Sequence, residues 1–220
     1  MPKREYDAWR DGHGLGIEGT FGFGARIGSF NDGFGDEEHF GTDLQLGLWL
    51  GLSSTWAFGL EYEHAGLGKA TSSSGLNSVS VEYDVDYLWL GARAYFYRAD
   101  SFDLFLNLRA GLGWQSLDAT GTREQLPTTV GIDVFACSAS AGPGFGLGAG
   151  FGAAYRASKN VLVHARVDGV GRQQSGDVLD GCAGGSGDVT SVNVGAGLMY
   201  VFDLGKDASL ARGRRSRDQL

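Results

Sequence analysis

Carboxylates and guanidiniums recur at alternate positions inside segments that are otherwise apolar or glycine-rich. Glu18 and Arg26 lie in GLGIEGTFGFGARI, Glu61 and Glu63 in LEYEH, Arg93 in GARAYF, Arg109 in NLRAGLG, and Arg166 and Asp168 in HARVDG. On an extended chain this spacing puts the charges on one face, together with Asn107, His164 and Asn193. A charge taken out of water needs an opposite charge and hydrogen bonds to meet it. The eight residues Glu18, Arg26, Glu61, Glu63, Arg93, Arg109, Arg166 and Asp168 are therefore expected to form a carboxylate–arginine network. Two kinds of site would use it: a gated or selective pore lined by fixed charge, or a polar core that plugs a bore and specifies the fold. Trp49, Trp89 and Tyr95 crowd the same face and favour the plug.

Other reactive residues point less far. Cys137 and Cys182 are the 2 cysteines of the chain, and in an exported protein a pair of this kind forms a disulfide. Closing a loop of about 45 residues contributes roughly 4 kcal/mol in the chain-entropy model. DGFGDEEHF gathers Asp32, Asp36, Glu37, Glu38 and His39, but without the spacing of a calcium loop, and reads as a solvated acidic segment. GLGIEG at 14–19 fits the dinucleotide pattern G-x-G-x-x-G but lacks the preceding strand and following helix that would place a pyrophosphate. No nucleophile-elbow motif occurs. The sequence thus predicts no catalytic residue, no cofactor and no metal, and His64 is the one side chain to weigh against a lipid-modifying activity.

The elements that must position the charges follow from strict period-two alternation, the mark of strands with two different faces. In DLQLGLWLGL, leucine recurs at 44, 46, 48, 50 and 52. A first strand carries Leu15 to Ile27, a third Trp56, Phe58, Leu60 and Tyr62, and a fourth Leu88 to Phe96. The fifth carries Phe102 to Trp114, the sixth Phe145 to Tyr155, the seventh Val161 to Val167 and the eighth Val192 to Phe202. In GPGFGLGAGFG the glycines alternate with Phe145, Leu147, Ala149 and Phe151, which makes this run a wall rather than a phosphate loop or linker. VSVEYDVDYLWL breaks the rule: its odd positions are apolar up to Val85 and its even ones from Leu88, so either a bulge near Asp86 or an extension beyond the membrane with a change of phase is expected.

Connections alternate between short (SST, RADS, ASKN) and long, which assigns them to opposite ends of one barrel. The apolar side chains are too many and too large for the interior of an eight-stranded barrel, so they must face lipid, leaving the glycine-rich, charged face to the bore. Trp56, Phe58, Phe96, Phe102, Tyr155, Tyr200 and Phe202 gather near the short turns as an interfacial aromatic girdle requires. A formal charge of −8 argues against nucleic acid as a partner. No apolar run is long enough for a transmembrane helix. The opening MPKREYDAWRDGHG lacks the apolar core of a secretory signal, so an exported form would have had its signal removed.

The alternating segments, and above all VNVGAGLMYVF closing on Phe202, resemble the small eight-stranded outer-membrane barrels of Gram-negative bacteria, the OmpA/OmpX/OmpW type. The resemblance covers roughly residues 14–202 and implies an all-β, eight-stranded antiparallel up-and-down transmembrane barrel. It implies a bacterial outer-membrane location, contact with outer-membrane lipid and lipopolysaccharide, help from the barrel-assembly machinery, and a monomer. Residues 1–13 are expected to be an N-terminal periplasmic segment. Residues 203–220, with RGRRSR, would form a disordered basic tail, too short for a peptidoglycan-binding domain. The function expected is non-enzymatic: envelope integrity, or adhesion and surface contact through the long loops. The alternatives are a narrow channel or carrier of small hydrophobic molecules, and a lipid-modifying enzyme.

Overall fold

A computed structural model describes residues 7–27, 40–74, 77–124, 132–173 and 189–205. Eight strands run β1 (Gly14–Ile27), β2 (Phe40–Gly51), β3 (Trp56–Ser74), β4 (Asn77–Arg98), β5 (Phe102–Glu124), β6 (Ile132–Arg156), β7 (Val161–Gln173) and β8 (Val189–Asp203). Each pairs antiparallel with the next, and β8 returns to β1 through Ile17↔Tyr200 and Phe21↔Ala196, closing the barrel. Closure removes the unpaired edges that a sheet cannot leave in hydrocarbon.

Alternation fixes the two surfaces. The even-numbered Leu44 to Leu50 of β2 point outward, whereas the odd-numbered Asp43, Gln45 and Trp49 are buried in the bore. Outward apolar side chains are exposed on every strand, from Ile17 and Phe21 on β1 to Leu198 and Phe202 on β8. An apolar surface that encircles the molecule belongs against lipid. Among the described residues no helix is long and apolar enough to cross a membrane. The girdle residues Trp56, Phe58, Phe96, Phe102, Tyr155, Tyr200 and Phe202 all face outward. They lie toward the short-turn end, where Phe102 sits opposite Tyr155 and Leu15 opposite Phe202.

Strand length is where the structure departs from expectation. The lengths are 12 to 15 residues for β1, β2, β7 and β8, but 19, 22, 23 and 25 for β3 to β6. A membrane crossing takes about 9–11 residues, so the four long strands continue well past it. The sequence puts residues 66–78 and 118–142, the latter with Cys137, in the long connections; much of both is strand instead, and Cys137 stands within β6. Nor is there a bulge at Asp86. The β4–β5 register runs unbroken from Ser78↔Thr122 to Tyr95↔Phe105, and β3–β4 pairing shifts only between Gly66 and Lys69. Side chains keep alternating in and out through Asp86, and the solvent outside changes. Above the lipid the outward positions become Asp86, Asp84 and Glu82, and the inward ones Val85, Tyr83 and Val81.

The bore is filled in three layers. Nearest the short turns, Trp9, Ala57, Tyr95, Phe105, Leu162, Met199 and Val201 pack together with Trp49. A charged layer follows. Above it, Val81, Tyr83, Val85, Tyr87, Trp89, Leu117, Ala119, Val170 and Val189 form a second apolar cluster. The glycines of β6 are the counterpart of this filling. A Cβ at Gly146 would collide with the Trp89 ring and one at Gly152 with Phe105, so bare backbone is what lets the large residues cross the bore.

Candidate functional site

The charged layer is built by inward positions of seven strands. Arg93 of β4 donates through both terminal nitrogens to Glu18 of β1, at 2.5 and 2.6 Å. Its guanidinium lies 3.8 Å from the centre of the Trp49 ring and 4.8 Å from that of Phe105, so it is stacked as well as paired. Arg166 of β7 joins three carboxylates: Glu61 at 2.8 Å, Asp168 at 3.1 Å and Glu18 at 3.7 Å. His164 Nε2 lies 2.9 Å from the Thr20 hydroxyl and 3.6 Å from Glu18.

A second group sits around Glu63. It accepts from Arg109 at 2.9 Å, from the Trp89 indole N–H at 2.7 Å, and from Arg172. Arg109 also donates to Gln45 Oε1 at 3.3 Å. Asp43 takes its bonds from the amides of Gln45 at 2.7 Å and Asn193 at 3.0 Å. All these side chains are buried. Each guanidinium of the two groups thus meets at least one carboxylate.

Of the eight predicted network residues, Glu18, Glu61, Arg93, Arg166 and Asp168 come together in the first group and Glu63 and Arg109 in the second. Arg109 pairs with Glu63 and not with the Glu18 group. Arg26 lies opposite Ser191 on the β1–β8 seam, and its side chain falls outside the described residues. The acidic run Asp32, Asp36, Glu37, Glu38 and His39, the residue Cys182 and the RGRRSR tail lie outside them too.

Sequence reasoning missed Arg172, Asp43 and Gln45. Arg172 keeps the parity of His164, Arg166 and Asp168 two residues at a time, which was the available signal. It also missed the role of residues 7–13. Trp9 is 1% exposed, and its indole donates to the Tyr95 hydroxyl at 3.2 Å. Arg10 pairs with Asp103 at 2.8 Å and donates to the Ala99 carbonyl, while Asp7 pairs with Arg156 at 2.7 Å. The segment is thus strapped across the mouth of the bore to strands β4, β5 and β6. A lone tryptophan in a polar leader was the only hint of this.

At the opposite limit of the lipid belt, on the outer wall, Tyr62 donates to Asp86 Oδ1 at 2.5 Å and His64 Nδ1 lies 2.9 Å from the same oxygen. His64, the residue weighed for lipid chemistry, thus meets a carboxylate rather than a serine. Asp84 is the next outward residue of β4. Partial burial, and then the neighbouring Glu82, push its carboxyl above the ordinary carboxylate range.

No family model matches the chain, and no curated protein matches it. Solved structures do align with it. Neisserial surface protein A aligns at 15% identity over 86% of this chain and 97% of its own, with a TM-score of 0.49. Ail, the attachment invasion locus protein of Yersinia pestis, aligns at 12% over 86% and 99%, with a TM-score of 0.47. The outer membrane protease OmpT of Escherichia coli aligns at 12% over 87% and 97%, with a TM-score of 0.42. Of these proteins, Ail is named for attachment and invasion and OmpT as a protease.

Proposed function

We propose that this chain is a non-enzymatic outer-membrane barrel with a closed bore, whose work is done by the surface it raises above the lipid, in envelope integrity or in contact with other surfaces. The observation that carries the reading is the filling of the bore at three successive levels: the Trp9 cluster, the Glu18–Arg93–Arg166 layer, and the apolar cluster around Tyr83 and Leu117. A conducting pore would need a polar gap at each level. A carrier of hydrophobic molecules would need an apolar cavity leading into the bore. Residues 1–13 are then a periplasmic segment whose described part, residues 7–13, seals the lower mouth, the chain is a monomer among lipid and lipopolysaccharide, and it reaches the membrane through the barrel-assembly machinery.

A disulfide between Cys137 and Cys182 belongs to the same reading. It is supported by the position of Cys137 on the inner side of β6, partly buried against the upper apolar cluster, and by the presence of one other cysteine in the chain. Purified protein should then leave both thiols unreactive to alkylation until a reductant is added.

Planar-bilayer recording tests the closed bore. The full-length protein should show no steady unitary current, and should stay silent in the Trp9→Ala variant, because two layers remain shut above the first. Discrete steps in the wild type that change in size in Arg109→Ala would overturn the reading.

A further inference from the structure

Residues 7–13 precede β1, yet their side chains are held by parts of the barrel that lie far along the chain. The Trp9 indole meets Tyr95 on β4, 86 residues away. Arg10 meets the Ala99 carbonyl in the β4–β5 turn and Asp103 on β5, 89 and 93 residues away. Asp7 reaches Arg156 at the end of β6. The His13 carbonyl accepts from the Leu204 N–H at 2.9 Å, one step beyond the Gly14↔Asp203 pair. The segment therefore also lengthens the β1–β8 seam at which the barrel closes. Gly12 is what lets it turn back under the strands. Its φ is +77°, and a Cβ there would stand 2.7 Å from the Ser53 nitrogen in the β2–β3 turn. Only glycine takes up that conformation and that close approach without strain.

We propose that residues 7–13 are a latch, which docks after the strands have closed into a barrel and then holds the seam shut. The order follows from chain entropy. Contacts 86 to 93 residues apart are unfavourable to form in an open chain. In a ring of eight strands β5 stands opposite β1, so Asp103 comes within reach of a segment that precedes β1 once the ring is complete. Contacts made after the transition state for folding slow unfolding and leave the folding rate alone. The latch thus gives the closed barrel kinetic stability. Its hold comes from burial: Trp9 is packed among Tyr95, Phe105 and Met199, and Arg10 is paired with the buried Asp103. Docking of the segment is all it needs, so a conducting bore would leave it standing.

Urea jumps on the full-length protein in lipid vesicles, followed by the heat-modifiable electrophoretic form of the folded barrel, give the two rates separately. Gly12→Ala removes none of the contacting side chains and strains only the turn, whereas Trp9→Ala removes the largest anchor. Unfolding should accelerate about tenfold in Gly12→Ala and about a hundredfold in Trp9→Ala, with folding within about twofold of wild type in both. Trypsin reads release of the latch itself. Arg10 is buried in the docked segment, so cleavage after it should be slow in the wild type and rapid in both variants, before any loss of the folded form. Folding slowed in proportion to the stability lost would overturn the late docking. Rapid cleavage after Arg10 with unfolding rates unchanged would overturn the hold on the seam.

Discussion

The lower and upper halves of β4 are one continuous strand with one unbroken register, yet they are built on opposite rules. From Phe96 down-sequence to Leu88 the outward side chains are apolar, and the inward ones include Arg93 and Trp89. From Asp86 to Glu82 the outward side chains are carboxylates, and the inward ones are Val85, Tyr83 and Val81. Backbone geometry is indifferent to the change, because a strand alternates faces whatever surrounds it. The medium outside decides. Against lipid, the hydrophobic effect gives no reason to put apolar groups inside, so the bore can hold charge provided the charges are paired. Against water, the same bore becomes an ordinary hydrophobic core. The apparent slip of phase at Asp86 therefore marks the edge of the membrane on this strand.

The charges of the lower half are where this arrangement is most sensitive to substitution. Arg93→Ala leaves Glu18 buried with its main partner gone, and should destabilise the barrel by about 3–5 kcal/mol. Urea unfolding in lipid vesicles, followed by tryptophan fluorescence, reads this directly. Replacing both Glu18 and Arg93 by leucine should recover most of the loss, since it is the unpaired charge that is costly rather than the absence of the pair. A double variant as unstable as the single one would mean that the network holds the barrel shape in its own right.

The outward faces offer a second, smaller contrast. Leu48 on β2 and Thr120 on β5 both point outward, the first within the apolar belt and the second above it. Leu48→Arg should cost about 2–4 kcal/mol, the depth-dependent price of a cation on a barrel's lipid face, whereas Thr120→Arg should stay within roughly 0.5 kcal/mol of wild type. Equal costs would place the membrane edge elsewhere.

The smallest effect concerns Asp84, just above that edge. Its carboxyl titrates above the ordinary range in the folded protein, so folding favours its protonated form. The ionised group therefore opposes folding at neutral pH and ceases to do so as the pH falls below the usual carboxylate range. Asp84→Asn should raise stability at pH 7 by a few tenths of a kcal/mol, and the difference from wild type should vanish below about pH 3. A variant less stable at pH 7 would contradict the sign.

Much of the site was readable because period-two alternation carries both the fold and the list of inward residues. Glu18, Glu61, Glu63, Arg93, Arg109, Arg166 and Asp168 could be named as inward charges from parity alone. What could not be read was which charge meets which. Arg109 and Glu63 lie on β5 and β3, two strands apart, and their meeting depends on the stagger of the strands and on how far each side chain reaches across the bore. The seal at the lower mouth was hidden for a similar reason. Trp9 has no periodic neighbours, and only the folded chain shows it turning under the barrel to meet Tyr95.

By itself, then, the sequence determined the strand pattern, the closed antiparallel barrel and the choice of which face meets lipid. These follow from side-chain chemistry repeated every second residue, and each segment declares them locally. Only the tertiary structure decided how far β3 to β6 rise above the lipid, how the bore divides into layers and which carboxylate pairs with which guanidinium. Those depend on contacts between residues far apart in the chain, and a local pattern contains no information about the distance across a barrel.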